Sequence, residues 1–234
     1  RSTLFPYTTL FRSASIRLLL FSYRKSAGWR KREVNKYLNN HKVAKLQIGC
    51  GPNPLEGWLN TDVSSTLRKG SPMFMDAGEP FPIPDASFDY VYSEHLFEHL
   101  TYQQASNMLR ECFRIMKPNG VIRIATPDLK FLVDLYEHPE KDINKAYIEF
   151  NAERSEMPSS PVFAVNYFHT SWGHKIVYDF ETLSCFLTEV GFKDISLCEM
   201  SKSSHSVLNG VEQHFKFLPY DFNLLETMIV EARR

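Results

Sequence analysis

Lys45–Val63, "KLQIGCGPNPLEGWLNTDV", runs from an apolar strand through a glycine turn to an aspartate. At Gly49 and Gly51 the missing Cβ atoms let backbone N–H groups approach a ligand at the end of a buried strand. A dinucleotide fingerprint needs G-x-G-x-x-G, a helix N-terminus for the pyrophosphate and an acid about twenty residues on. Here two glycines are followed by Pro52, Asn53 and Pro54. Proline has no N–H and starts no helix cleanly at this spacing, so the turn is poorly equipped for a diphosphate. Asp62, ending a second strand "WLNTD", can accept both hydroxyls of a ribose. The stretch therefore points to a nucleoside without a pyrophosphate.

Four segments then follow in order: "LQIGCGPNP", "LNTDV", "MDAGEPFPIPDASFDYVYSEHLFEHL" and "MLRECFRIMKPNGVIRIATPD". This series resembles the motifs of class I S-adenosylmethionine-dependent methyltransferases of the type 11 kind, across roughly Lys45–Asp128. The resemblance implies a three-layer α/β/α Rossmann-like fold, with a seven-stranded, mostly parallel sheet and an antiparallel last strand. It implies S-adenosyl-L-methionine as cofactor. Gly49, Cys50, Gly51 and Asn53 would face its methionine part, Asp62 its ribose, Asp76 and Ala77 its adenine. Ser93, Glu94 and His95 would lie nearest the methyl.

The chain departs from the family pattern at three points. Gln47 stands where many members carry an acid, and Asn53 where a third glycine is common. Asparagine tolerates left-handed backbone, so that exchange is mild. Only Pro52–Gly57 link the turn to the second strand, whereas a parallel crossover takes about a dozen residues. Either the first crossover helix is shortened to a turn or the second strand is misplaced.

Thr3–Ser13, "TLFPYTTLFRS", reads as the translation of a common short-read sequencing adapter, so residues 1–13 are expected to be a non-native scar. Residues 14–43 read as a basic helical extension, and 44–234 as the methyltransferase domain with a lid-like insertion at 129–178. With 27 basic and 27 acidic side chains the net charge is +0, which gives no global reason to expect nucleic acid or a membrane as partner. The apolar core of "IRLLLFSYRK", Ile16–Lys25, is far shorter than the roughly twenty residues of a span. Cys50, Cys112, Cys185 and Cys198 form no C-x-x-C pair and read as buried thiols of a reducing cytoplasm.

Along the rest of the chain, Thr101 with Gln104 signals a capping box, and the helix it opens ends at Lys117–Gly120. Asp179 with Thr182 opens another amphipathic helix, closed by Gly191. "FKDISLC" and "TMIVEA" read as strands, the second as the antiparallel edge.

Methyl transfer from a sulfonium is an in-line displacement with an activated leaving group, so the protein mainly positions donor and acceptor. A hydroxyl or protonated amine acceptor needs a base as well, and His95, His99 and His174 are the candidates. The acceptor is expected to be a small molecule, a sugar or a lipid-linked precursor. A rival sits in the same residues: "HLFEH", His95–His99, matches H-x-x-E-H, a zinc or divalent-metal pattern that would use His95, Glu98 and His99 on one helical face. A third reading is a module that binds the cofactor without turning it over.

Overall fold

The computed structural model describes Ser22 and residues 26–64 and 70–234; the sequence-derived scar and most of the apolar segment at 16–25 lie outside them. Seven strands form one sheet: β1 (Lys45–Ile48), β2 (Leu59–Asp62), β3 (Met73–Phe74), β4 (Phe88–Glu94), β5 (Met116–Pro127), β6 (Lys193–Cys198) and β7 (Thr227–Arg233). Their spatial order is β3-β2-β1-β4-β5-β7-β6. β7 runs antiparallel to both neighbours and the other pairs are parallel. The expected Rossmann-like sheet is thus present. β7 is not its edge, however: it is inserted between β5 and β6, so β3 and β6 are the borders.

Alternation along the strands sends side chains to two different covers. Val91, Ile122, Ile124 and Val230 join the main core. That core is closed by α1 (Ala27–Asn40), α2 (Tyr102–Ile115) and α6 (Phe180–Val190). α2 follows its sequence signals: Thr101 and Gln104 form the reciprocal capping box, and Ala105, Met108, Leu109, Cys112 and Ile115 fill one buried face. It ends at Ile115, before the expected stop at Lys117–Gly120; Pro118 and Asn119, the latter in left-handed backbone at φ +65°, lie in the first residues of β5. α6 is capped by the Asp179 side chain, which accepts from Thr182 N, and stops at Gly191 with φ +114°.

On the opposite face the covering layer is thin. Trp58, Tyr92, Val121, Leu208 and Val211 pack together there, drawn from the β1–β2 connection and from the segment after β6. The link between β1 and β2 contains turns and no helix. The second strand is where the sequence places it, so the first crossover helix is indeed reduced to turns.

Residues 129–178 hold three helices, α3 (Leu129–Glu137), α4 (Asp142–Ser155) and α5 (Pro161–Thr170). With α7 (Tyr220–Glu226) they enclose a second apolar cluster around Phe131, Tyr147 and Phe168. Because this group follows the end of β5, it stands over the carboxyl edge of the sheet. Of the cysteines, Cys50 and Cys112 are buried, but Cys185 is exposed and Cys198 partly so; the expectation of four buried thiols fails because α6 turns Cys185 outward. No helix among the described residues is long and apolar enough to cross a membrane.

The segment after β6 is tied down by a buried ionic cluster. Arg123, fully buried on β5, donates to Glu212 at 2.5 Å and Glu231 at 2.6 Å, and to the carbonyls of Lys202 and Glu199. Burial works against its charge, yet the two carboxylates hold its pKa above the ordinary arginine value. Removing one partner of a buried pair leaves charge without compensation. Arg123→Met is expected to lower unfolding free energy by about 3–5 kcal/mol in urea titration; a loss below about 1 kcal/mol would show that the cluster does not anchor the segment.

Candidate functional site

The glycine turn is positioned by side chains that replace the missing helix. Gln47, buried on β1, donates from Nε2 to the Asn53 carbonyl at 3.1 Å and accepts from Leu55 N at 3.0 Å. Asn60 accepts from the same Leu55 N and donates to the Leu55 and Trp58 carbonyls. Thr61 closes the arrangement by donating to the Gln47 carbonyl. An amide at position 47 both gives and accepts, which a carboxylate cannot do. Gly49 sits at φ +69°, and a Cβ there would lie 2.8 Å from Leu96 Cδ2, so both backbone and space demand glycine.

Asp62 ends β2 with its carboxylate turned back on this turn: Oδ2 accepts from Gly51 N at 2.8 Å and Oδ1 from Ser64 N at 2.6 Å. Cys50 lies beside it. Burial, with the Asp62 charge, pushes the Cys50 thiol up to about 12, so it stays protonated.

The turn forms one wall of a cavity of about 490 Å³. Gly49, Cys50, Gly51 and Asn53 line it together with Glu94, His95, His99 and His174, so eight expected site residues meet there. Asp62, Asp76, Ala77 and Ser93 do not line it. Ser93 is fully buried, because alternation along β4 turns it away from the side that Glu94 faces. Asp76 is occupied locally, accepting from Gly78 N at 2.9 Å.

The far walls come from segments the sequence did not connect to the site. Tyr147, Phe150 and Arg154 of α4, Phe168 and Trp172 around the end of α5, and His214, Phe217 and Glu226 near the C-terminus all line the cavity. Glu94 accepts from the backbone N–H groups of Gln213 and His214 at 2.8–3.0 Å, which fixes the C-terminal wall. Glu226 accepts from the Tyr147 hydroxyl at 2.6 Å and lies 3.6 Å from His214 Nε2. No local pattern marks His214 or Glu226; only their meeting in space does.

The three histidines differ in what holds them. His95, in left-handed backbone at φ +45°, has Nδ1 3.2 Å from Glu98 and Nε2 3.1 Å from Thr227 Oγ1, and its ring stacks on His214 at 3.6 Å. Burial opposes charge on both His95 and Glu98. Their contact outweighs it, raising the histidine and lowering the carboxyl. His174 Nδ1 lies 2.8 Å from the Phe168 carbonyl, and burial depresses its pKa, so the ring is neutral with Nε2 as its acceptor. His99 is a third exposed, 3.9 Å from Glu98 and edge-on to His174.

This geometry overturns the H-x-x-E-H reading. Phe97–His99 is a single 3-10 turn, and His95 precedes it in a conformation no α-helix contains. The two imidazoles therefore do not share a helical face. His95 instead groups with His214 and Glu226, and His99 with Glu98 and His174.

Comparison with known proteins agrees with the sheet order. Residues 62–124 match the family model described as a methyltransferase domain. That stretch runs from the end of β2 to β5 and is similar to a methyltransferase domain. A probable S-adenosylmethionine-dependent methyltransferase of Mycolicibacterium smegmatis is 43% identical over 47 residues, which are 20% of this chain and 18% of that protein. The alignment thus spans less than a fifth of the curated relative. Among solved structures, an S-adenosylmethionine-dependent methyltransferase of Mesorhizobium loti is similar over 90% of this chain and 99% of its own, with TM-score 0.50 and 16% identity. One from Archaeoglobus fulgidus covers 93% and 99%, with TM-score 0.48 and 20% identity. At these identities the structures speak for the fold. S-adenosylmethionine is named as the cofactor in the descriptions of that relative and of both structures.

The amide brace is open to test. Gln47→Glu removes the donor to Asn53 and sets a carboxylate against its carbonyl, so unfolding free energy should drop by about 1–3 kcal/mol in urea titration. Unchanged stability would mean that Asn60 alone holds the connection.

Proposed function

We propose that the methyltransferase domain transfers the S-adenosylmethionine methyl to a small acceptor carrying an apolar tail, which favours a lipid-linked precursor over a free sugar. The observation that carries this reading is the composition of the cavity mouth. Trp172 and Phe217 line the cavity while remaining 50% and 52% exposed, and Phe163, Phe215 and Tyr220 stand exposed on the same two segments. Exposed aromatics concentrated at a cavity mouth mark a surface that meets an apolar ligand.

The residues fit the cofactor. Gly49–Asn53 offer a wall without bulky side chains, and Glu94 presents a carboxylate to a cationic ligand. Tyr147, Phe150 and Phe168 add aromatic faces that attract a sulfonium or ammonium group. Asp62, at the rim of the turn, has carboxylate lone pairs beyond the two backbone contacts it makes, and is the proposed ribose acceptor. Asp76 and Ala77 remain the proposed adenine neighbours.

When bound, S-adenosylmethionine supplies an electrophilic methyl whose leaving group is a neutral thioether. The chain then has to hold the acceptor in line and exclude water. α4 and α5 close the side of the cavity away from the sheet and act as the lid. Of the candidate bases, His95 has both ring nitrogens engaged and serves to position Glu98 and His214. His99 and His174 are the groups left to face the acceptor.

Calorimetry on the full chain should show saturable S-adenosylmethionine binding and none of NAD. Asp62→Ala should weaken that binding by about 1.5–3 kcal/mol, the range for a hydrogen bond to a charged group; unchanged affinity would remove Asp62 from the site. Alcohol acceptors with and without an alkyl chain, followed by S-adenosylhomocysteine release, test the tail. Trp172→Ala with Phe217→Ala should raise KM for the alkylated acceptors by about tenfold or more while leaving cofactor affinity in place, since each ring buries well over 1.4 kcal/mol of apolar contact. Equal KM values for both proteins would sink the apolar-tail reading.

A further inference from the structure

We propose that Glu98, His99 and His174 form a divalent-cation site on the cavity wall, a carboxylate and two imidazoles contributed by separate segments. One donor atom from each lies within 4.8 Å of the other two, and His99 Nε2 is 3.9 Å from Glu98 Oε1. Ligands around a zinc-class ion at about 2.0–2.2 Å stand about 3.4 Å apart, so side-chain rotations of about an ångström close the site.

The surroundings of each donor point the same way. Glu98 is fully buried; its Oε2 accepts from Thr126, and Oε1 lies 3.2 Å from His95 Nδ1 and 3.9 Å from His99 Nε2. A carboxylate oxygen has two lone pairs, so the contact with His95 leaves Oε1 one more for a cation on the His99 side. His174 Nδ1 meets the Phe168 carbonyl, and a carbonyl only accepts, so Nδ1 carries the proton and Nε2 keeps the lone pair. A ring N–H held by a backbone carbonyl is the outer contact that orients metal-bound histidine. The spacing between the two segments is set by backbone, because the Glu98 carbonyl accepts from Lys175 N at 2.7 Å and Ile176 N at 3.3 Å. All three residues line the cavity, so the remaining coordination positions open toward an acceptor.

A second group, His95, His214 and Glu226, is equally close. Its donors are already occupied: both His95 nitrogens have partners, and Glu226 accepts from Tyr147 at 2.6 Å. The ion therefore falls to the first group. Two imidazoles with one carboxylate suit a d-block divalent ion such as zinc, whereas magnesium prefers an all-oxygen shell.

The test uses the full chain stripped with chelator, titrated with cobalt(II) by visible absorption and with zinc by calorimetry. One ion per chain is expected, with affinity at least about tenfold weaker in His174→Ala and His99→Ala and unchanged in His214→Ala. His99, the most exposed of the three, serves as the second variant should His174→Ala fail to fold. S-adenosylmethionine titration of each metal-free variant reports whether the cofactor wall survives. Absence of binding in the wild type, unaltered affinity in both ligand variants, or loss in His214→Ala alone would each overturn the site. Metal binding without any S-adenosylmethionine binding would instead overturn the methyl-transfer reading and leave the metal site standing.

Discussion

The contact between Arg123 and Glu212 governs more of the molecule than its two residues suggest. A guanidinium with no exposure must be met by charge, and β7 alone supplies only Glu231. The second carboxylate comes from the long return after β6, and meeting it fixes that chain on the open face of the sheet. Glu212 is followed directly by Gln213 and His214, whose N–H groups cap Glu94. His214 is thereby stacked on His95, and Phe217 is carried to the cavity mouth. A charge buried on one side of β5 thus sets the wall of a cavity at the strand ends.

The other wall depends on a different economy of groups. A crossover helix would satisfy its own backbone, whereas a link of turns leaves N–H and C=O groups that need partners. Gln47 and Asn60 provide them from the flanking strands, and Asp62 takes the Gly51 N–H. Position 47 lies within the sheet at 3% exposure, where a carboxylate without a cation would be costly and an amide is not. The Gln47 amide and the short link thus belong together: the amide meets one carbonyl and one N–H of the turns.

What could be read in advance followed from local chemistry. The capping box at Thr101 and the cap at Asp179 are each fixed by neighbours within a few residues, and each is where its residues place it, whereas the helix after Thr101 ends at Ile115, ahead of its expected stop at Lys117–Gly120. Two of the helices of 129–178, α4 and α5, were hidden because their apolar residues do not keep to one stripe. α4 buries Asn144 and Asn151 beside Tyr147 and Ile148, since it packs on other helices and on a polar cavity rather than on a sheet. Half of the cavity was invisible for another reason. Tyr147 and Glu226 meet across 79 residues, and His95 and Thr227 across 132, distances over which a single sequence carries no periodic signal. The H-x-x-E-H pattern misled for the converse reason, being local in sequence while its backbone is not helical.

These long-range meetings share a junction, the step from α7 into β7. Glu226 ends one element and Thr227 begins the other; the first holds Tyr147 and the second holds His95. Asp128, at the end of β5, donates its N–H to the Glu226 carbonyl, so the junction is also sewn to the strand beside it. β7 pairs with both β5 and β6 and alone joins β6 to the sheet. The strand that completes the sheet therefore also carries a wall of the cavity. The helices over the carboxyl edge are anchored in the site at Glu226, which receives the Tyr147 hydroxyl, and at the Glu98 carbonyl, which accepts from Lys175 and Ile176. The last strand therefore ties the cavity wall, the helices of 129–178 and the sheet to one junction.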